Sequence, residues 1–161
     1  MIIGVVSDTH GNMSTTRAAV NLLRSFDPEL VIHCGDVGSA DVVACFTDWP
    51  THFVFGNVDD GASLADAITK AGKTCHGGFG SLVLEQQPVA FLHGDDLNRL
   101  DEEIMSGKWK MVCHGHTHVA RELMIADTVV LNPGALHRAR TKSIAIVDLP
   151  SRKCEIIAVD A

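Results

Sequence analysis

The stretch MIIGVVSDTH at residues 1–10 decides the fold class, because an apolar run is followed at once by Asp8 and His10. An unbroken apolar run of this kind is typical of a strand buried on both faces, as in the parallel sheets of α/β proteins. The next apolar residues recur at the spacing of one helical face, and they are Ala19, Leu22, Leu23 and Phe26. The N-terminus therefore predicts a buried strand that leads into a helix.

The same alternation continues twice more along the chain. Strands are predicted at residues 30–34 and 52–55, and each is followed by helical spacing, with Ser39 as the N-cap of the first of these helices. The apolar faces of the two helices contain Val42, Phe46, Trp49, Leu64, Ala67, Ile68 and Ala71. The order β-α-β-α-β-α predicts a parallel sheet that is covered by helices.

The second half of the chain is richer in strands. A hairpin is predicted from residues 81–85 and 89–92, with Gln86-Gln87-Pro88 as its turn, and a short helix at residues 95–107. Further strands are expected at residues 110–113, 121–125, 129–131, 143–149 and 155–159. So many strands favour a second sheet packed on the first, within one α/β domain that spans residues 1–161.

Composition and charge exclude several classes of protein. The 161 residues are 46% hydrophobic and 20% charged, which suits one globular domain with a sizeable core. No apolar run approaches the roughly 18 residues of a membrane helix, and no basic segment precedes the first run, so a cytoplasmic protein without a membrane contact is expected. The five cysteines form no Cys-x-x-Cys pair and are expected to be reduced. A net charge of −7 without a basic track favours a small substrate over a nucleic acid.

Five short polar motifs stand where predicted strands end. They are Asp8-Thr9-His10, Gly35-Asp36, Gly56-Asn57-Val58-Asp59, His93-Gly94 and Gly115-His116-Thr117-His118. Ligands of open α/β sheets bind outside the carboxyl ends of the strands, so the five motifs are predicted to converge on one crevice. In extended backbone the members of each i, i+2 pair, Asp8 with His10 and His116 with His118, are expected to project to the same side.

Seven side chains in these motifs offer oxygen or nitrogen donors to a metal, and they are Asp8, His10, Asp36, Asn57, His93, His116 and His118. Seven donors exceed what one tetrahedral zinc ion needs and suit two adjacent divalent ions that share a carboxylate. Imidazole and carboxylate without thiolate favour Mn²⁺, with Fe, Zn²⁺, Ni²⁺ or Co²⁺ as alternatives, over Mg²⁺ or Ca²⁺. Two such ions would outweigh the charges of Asp8 and Asp36 and would attract an anion.

The five motifs, taken in this order, resemble the calcineurin-like metallophosphoesterase superfamily, and the short chain with its G-N-x-D motif is similar to that superfamily's small bacterial and archaeal phosphodiesterases. The resemblance implies a four-layer α/β/β/α sandwich of two mixed sheets flanked by helices. It implies one ion held by Asp8, His10, Asp36 and His118, and a second held by Asp36, Asn57, His93 and His116. It further implies that a hydroxide held between the two ions attacks the phosphorus of a phosphate ester.

The third motif departs from the family pattern. Many relatives have a histidine directly after the Gly-Asn pair, whereas this chain has Val58. Small or activated diesters are therefore expected as substrates, rather than monoesters with poor leaving groups. The candidates for catalytic roles are Asn57, Asp59 and His93, and Asp59 is expected to orient Asn57 or a neighbouring ligand. Asn57 and His137 are the candidates for substrate contact, with His137 expected on a surface loop.

Two functions from different classes are consistent with the sequence. The first is a phosphodiesterase, and the second is a non-catalytic protein-interaction scaffold similar to the retromer scaffold subunit; either could be a homo-oligomer. The complete set of ligand residues favours the enzyme. Among the other histidines, His33 is expected to be hydrogen-bonded in the interior, His52 and His76 to be exposed, and His114 to lie outside the site.

Overall fold

The computed structural model describes residues 1–161 and contains eleven strands and four helices. In chain order these are β1 (Ile2–Val6), α1 (Met13–Arg24), β2 (Leu30–His33), α2 (Ala40–Cys45), β3 (Thr51–Phe53), α3 (Gly61–Lys70), β4 (Thr74–Cys75), β5 (Phe79–Leu84), β6 (Gln87–Leu92), α4 (Leu97–Met105), β7 (Met111–Cys113), β8 (Arg121–Ile125), β9 (Thr128–Asn132), β10 (Ser143–Asp148) and β11 (Lys153–Ala158).

The strands form two mixed sheets. The first has the order β11-β10-β1-β2-β3-β4, in which β1 to β4 are parallel while β10 and β11 are antiparallel. The second has the order β5-β6-β7-β9-β8, in which β6, β7 and β9 are parallel and the two edge strands are antiparallel. The predicted pair of mixed sheets is confirmed.

The apolar side chains divide into three buried layers, which define the sandwich. Val6 packs with residues of α1, α2 and α3 on the outer face of the first sheet, whereas Ile3 and Val5 pack between the two sheets. In β6, Phe91 also lies between the sheets, and Leu92 packs on α4 on the far side. Both faces of the central strands are therefore covered, which explains why β1 reads as an unbroken apolar run.

The structure corrects three details of the sequence prediction. Helix α2 begins after the predicted N-cap Ser39, but it ends at Cys45, so Phe46 and Trp49 lie beyond it and still pack into the same buried layer. Strand β4 was not predicted, because its two residues contain no apolar run. The turn of the β5–β6 hairpin is Glu85-Gln86, both with positive φ as a tight two-residue turn requires, and Pro88 belongs to β6.

The helices are short. The longest, α1, has 12 residues, and a helix needs about 20 apolar residues to span the hydrocarbon core of a bilayer. None of the four helices has the length and apolar character of a membrane span.

Candidate metal centre

The predicted ligand residues lie on loops that follow β1, β2, β3, β6 and β7. Their backbone is not extended as the sequence prediction assumed. Five of the seven have left-handed backbone with positive φ, and they are Asp8 (55°), His10 (45°), Asp36 (52°), His116 (70°) and His118 (59°). This conformation costs a residue other than glycine about 1–2 kcal/mol, and such strain concentrates at functional sites. The loops therefore turn sharply and bring side chains of distant motifs together.

Asp8, His10 and His118 form the first of two clusters, in which the donor atoms lie within 4.8 Å of one another. The Nε2 atom of His118 lies 3.1 Å from Oδ1 of Asp8, and Nε2 of His10 lies 3.6 Å from the same oxygen. The two Nε2 atoms are 3.3 Å apart. Three donor atoms thus converge on one point, which we call the Asp8 cluster.

Asp36, His93 and His116 form the second group, which we call the Asp36 cluster. The Nε2 atom of His93 lies 3.1 Å from Oδ2 of Asp36 and 3.3 Å from Nδ1 of His116. Asn57 joins this group, since its Oδ1 lies 3.1 Å from Nε2 of His93. His116 and His118, although only two residues apart, enter different clusters. The family resemblance had already assigned them to different ions, and the expectation of a shared side does not apply, because it assumed extended backbone and both residues are left-handed.

One carboxylate oxygen lies between the two clusters. Oδ2 of Asp36 is 3.1 Å from Nε2 of His93 and 3.4 Å from Nε2 of His10. The other oxygen, Oδ1, accepts a hydrogen bond from the backbone N–H of Val58 at 3.1 Å. Burial alone would raise the pKa of Asp36, but the hydrogen bonds from His93 and Val58 outweigh it and lower the pKa.

Asp8 is held by one oxygen and leaves the other free. Its Oδ2 accepts hydrogen bonds from the Ser7 hydroxyl at 2.6 Å and from the backbone N–H of His116 at 3.1 Å. Its Oδ1 is buried and accepts no hydrogen bond, although Nε2 of His118 is close. A buried anionic oxygen without a partner is costly, and a cation at this point would satisfy both the oxygen and the surrounding imidazole lone pairs. The residues therefore fit a divalent metal.

His93 is fixed in one orientation by the backbone. Its Nδ1 donates a hydrogen bond to the carbonyl oxygen of Cys34 at 2.8 Å, so in the neutral ring the lone pair of Nε2 points into the Asp36 cluster. Burial lowers the pKa of His93, but the contacts with Asp36 and with the Cys34 carbonyl outweigh this effect and raise it. Without a metal, the contact between His93 and Asp36 thus favours the charged form of each side chain.

Two glycines of the motifs are required because other chains pass very close to them. A Cβ atom on Gly56 would collide with Oδ1 of Asp36, and one on Gly115 would collide with the hydroxyl of Ser7. Both glycines let the loops approach the carboxylates of the two clusters.

Asp59 holds loops together and does not enter either cluster. Its carboxylate accepts hydrogen bonds from three backbone N–H groups, those of Gly56 at 2.8 Å, Gly38 at 3.0 Å and Val37 at 3.2 Å. These bonds connect the loop that carries Asp36 to the loop that carries Asn57. The geometry agrees with the orienting role that the sequence suggested for Asp59.

His137 lies nearer to the clusters than a histidine on a surface loop would. Its ring is half-buried, with its centroid 5.4 Å from that of His10, and its Nδ1 is 3.4 Å from Nδ2 of Asn12. The sequence placed His137 after a Pro-Gly turn but held no signal that this turn folds back onto the loop after β1.

The remaining histidines lie outside the clusters. His33 is buried and hydrogen-bonded, since its Nδ1 accepts from the N–H of Gly35 and its Nε2 lies 3.0 Å from the Thr9 hydroxyl. The expectation that His52 and His76 are exposed was wrong, because both are half-buried and their rings are joined by a 2.9 Å hydrogen bond. A polar pair can lie in the interior when each member satisfies the other.

Two supporting residues were missed by the sequence analysis. Ser7 holds Asp8, as described above, and Asn132 donates hydrogen bonds at 3.0 Å to both the carbonyl of Gly115 and the hydroxyl of Thr117. Asn132 thereby fixes the loop that carries His116 and His118. The only signal in the sequence was the residue type, since an asparagine side chain is able to bond a distant backbone.

Comparison with known proteins adds to this geometry. The family model of the calcineurin-like phosphoesterase superfamily domain matches residues 1–152 of the chain. A phosphodiesterase of Methanocaldococcus jannaschii is 30% identical over 138 residues, which amount to 83% of this chain and 83% of the relative.

Solved structures share the same architecture. An archaeal phosphodiesterase superposes with a TM-score of 0.91 at 26% identity and covers 99% of this chain and 100% of its own. A Vps29 variant from Entamoeba histolytica superposes with a TM-score of 0.73 at 14% identity, covering 99% of this chain and 100% of its own, which is a likeness of fold alone.

Proposed function

Because this chain belongs to the calcineurin-like phosphoesterase superfamily, we propose that it is a phosphodiesterase that works with two divalent metal ions. The observation that carries the proposal is the position of Asp36, whose Oδ2 lies within 3.4 Å of a histidine nitrogen in each cluster. Only an anion can bridge two cations at such a point, and a carboxylate oxygen supplies one.

The proposed ligands divide between two ions. Asp8, His10, Asp36 and His118 would hold one ion, and Asp36, Asn57, His93 and His116 would hold the other. The buried Oδ1 of Asp8, which has no hydrogen bond, supports the first assignment. When bound, the two ions supply Lewis-acid stabilisation of phosphoryl charge and the acidity that makes water a nucleophile near neutral pH. The oxygen and nitrogen donors, without thiolate, favour Mn²⁺.

The residues of the chain orient and complement a phosphate ester at this centre. The Asn57 side chain directs Oδ1 toward His93 at 3.1 Å, which leaves its amide N–H group to donate to a phosphate oxygen. The Cys34 carbonyl keeps the His93 ring in one orientation. We propose that His137 contacts the substrate beside the Asp8 cluster, because the centroid of its ring lies 5.4 Å from that of His10.

The leaving group receives little help from the third motif. Val58 occupies the position after Asn57, and its side chain is 54% exposed without a polar atom to offer. The Asp59 carboxylate is directed at three backbone N–H groups and enters neither cluster, so it is not positioned to donate a proton to a leaving group there. We therefore expect diesters with good leaving groups to be hydrolysed faster than monoesters with poor ones.

The test is hydrolysis of bis(p-nitrophenyl) phosphate by the full chain with added Mn²⁺, together with elemental analysis of the bound metal. The expected result is turnover that depends on the metal and is lost in His93→Gln. The matched control is His52→Gln, a half-buried histidine outside both clusters, which should retain turnover. A protein that binds no metal and hydrolyses no ester, but captures one partner stoichiometrically, would instead be an interaction scaffold.

A further inference from the structure

A cavity of about 550 Å³ opens beside the Asp8 cluster, and His118 belongs to both. The cavity lies between the loop after β7, the segment before β10, and the end of β11. A group that is covalently attached to a phosphate at the metal centre could extend into it without crossing the protein.

The lining of this cavity is suited to an anion. Arg138 and Arg140 line it together with Thr117 and Thr141, whereas the Ser143 hydroxyl already donates to the Pro133 carbonyl, and the rest of the lining includes Val119 and Ile156. No carboxylate lines the cavity. Cations and hydroxyl donors without a competing acid are the groups that bind phosphate oxygens in proteins.

The two arginines have no partner within the protein. Neither Arg138 nor Arg140 makes an ion pair or a side-chain hydrogen bond. Arg24, Arg99 and Arg152 are paired with carboxylates, and Arg17 and Arg121 also lack an ion pair but do not stand beside a second arginine. Together with Lys142, they place three of the 13 basic residues of the chain within five consecutive positions. In a protein with a net charge of −7, this local concentration of unpaired cations at the edge of the site needs an explanation.

A second cavity, of about 450 Å³, flanks the other cluster and has a different character. It is lined by His93 together with Asp95 and Asp96, and its one arginine, Arg99, is already paired with Glu103 at 2.9 Å. An anion would be repelled by the two aspartates. The charge of the lining residues therefore favours the cavity beside the Asp8 cluster, rather than the one beside the Asp36 cluster, as the place for an anionic group.

We infer that the cavity between His118 and the Arg138–Arg140 segment binds a second phosphate group of the substrate. The preferred substrate is accordingly a small phosphodiester that carries a further phosphoryl group a few bonds from the scissile one. This inference rests on the proposed function and adds the class of substrate to it.

The test compares two chromogenic diesters that share the scissile bond and the leaving group. They are thymidine 5′-(p-nitrophenyl phosphate) and the same compound with an additional 3′-phosphate. We expect the 3′-phosphate to raise kcat/KM by about tenfold, as two partly exposed arginine–phosphate contacts would give. High salt should reduce this preference, because exposed charges are screened.

The double variant Arg138→Gln/Arg140→Gln should lower the ratio of the two kcat/KM values to about one. The control variant, Lys108→Gln/Lys153→Gln, removes the same charge at the opposite end of the sheets. Lys108 precedes β7, and Lys153 pairs with Asp148 opposite the first residue of β1. This control should preserve the wild-type ratio. Equal kcat/KM values in the wild type, or the same loss in both double variants, would overturn the inference.

A binding measurement separates this inference from the proposed function. Calorimetric titration of the full chain with thymidine 3′,5′-bisphosphate and thymidine 5′-monophosphate requires no turnover. We expect the bisphosphate to bind about tenfold more tightly to the wild type, and equally to the Arg138→Gln/Arg140→Gln variant. If neither diester is hydrolysed while this difference persists, the proposed function fails and the anion subsite stands. If the two nucleotides bind the wild type equally, the subsite fails.

Discussion

The two clusters of the candidate metal centre differ in their burial. In the Asp36 cluster, the side chains of Asp36 and His93 are only 4% and 1% exposed. In the Asp8 cluster, the carboxylate is fully buried, but the rings of His10 and His118 are 18% and 22% exposed. Asp36 and His93 are thus more deeply buried than the histidines of the Asp8 cluster, while His116 is half-buried and Asn57 is exposed at the rim of the Asp36 cluster.

The clusters also differ in how their histidines are held. His93 is fixed by the Cys34 carbonyl, whereas the Nδ1 atoms of His10 and His118 have no hydrogen-bond partner in the protein. Outer partners that orient metal ligands commonly change metal affinity by about 10- to 100-fold. In this arrangement the Asp36 carboxylate connects the Asp36 cluster, in which His93 is held in place, to the Asp8 cluster, in which His10 and His118 are held less firmly. We expect an ion to bind more tightly at the Asp36 cluster.

The largest effect is expected from Asp36→Asn, which tests whether the clusters depend on each other. Asparagine can still accept the hydrogen bond from the Val58 N–H, but its neutral oxygen cannot bridge two cations. Metal content should fall from two ions per chain to one or none. Turnover should fall by about a thousandfold or more, since several kcal/mol of charge stabilisation is lost.

Elemental analysis and the rate of diester hydrolysis measure these two effects, and circular dichroism verifies that the variant is folded. If the Asp36→Asn variant binds two ions per chain and has wild-type turnover, the two clusters do not depend on each other as proposed.

A smaller effect is expected from Ser7→Ala, which acts on the Asp8 cluster alone. The variant removes the 2.6 Å hydrogen bond to Oδ2 of Asp8 and leaves this oxygen with only the His116 N–H. Affinity for the weaker ion should fall by about 10- to 100-fold, and affinity for the tighter ion should change little. Calorimetric titration with Mn²⁺ measures both.

The control for this experiment is Ser151→Ala, which removes an exposed serine hydroxyl in the β10–β11 turn. If Ser7→Ala weakens both ions equally, the two clusters do not differ as described.

The smallest effect concerns His33, which lies beneath both clusters and bonds the loop of each through Thr9 and Gly35. Burial, together with the nearby His93, lowers its pKa to about 3. Below about pH 6.5 the His33 side chain binds a proton in the unfolded chain but not in the folded chain. The contribution of His33 to the free energy of unfolding is therefore present above that pH and is lost as pH falls. The loss should approach about 1.4 kcal/mol per pH unit.

Urea denaturation of the metal-free protein between about pH 7 and about pH 5 measures how the free energy of unfolding depends on pH. The comparison is with His33→Gln, whose side chain can keep both hydrogen bonds without titrating. The slope should be shallower in the variant. An identical slope in the two proteins would show that His33 does not titrate between these states.

The sequence was sufficient to predict two mixed sheets, through the resemblance of its five motifs to a known family, and to propose the residues of the site. Each motif follows an apolar strand, and Asp8 and Asp36 meet because they follow the adjacent parallel strands β1 and β2, whereas His93 follows β6 of the second sheet and meets them only through the packing of the two sheets. The need for an anion between two cations favours Asp36 over Asn57 as the proposed bridge. These features depend on residue type and strand order, which a sequence displays directly.

Other features depend on loop conformation and could not be predicted. The left-handed backbone of Asp8, Asp36, His116 and His118 has no signal in these residue types. His137 approaches His10 because the segment after β9 folds back on the loop after β1, and such a contact has no local signature. The carboxylate of Asp59 joins two loops through three backbone N–H groups, which a sequence shows only as an acid beside a glycine motif.

The most direct test of the central claim is an anomalous difference map from crystals of the full chain soaked in Mn²⁺. We predict two peaks, one on each side of Oδ2 of Asp36, with the peak among Asp36, His93 and His116 filling first at limiting metal. A single peak that does not involve Asp36, or peaks away from both clusters, would contradict the account.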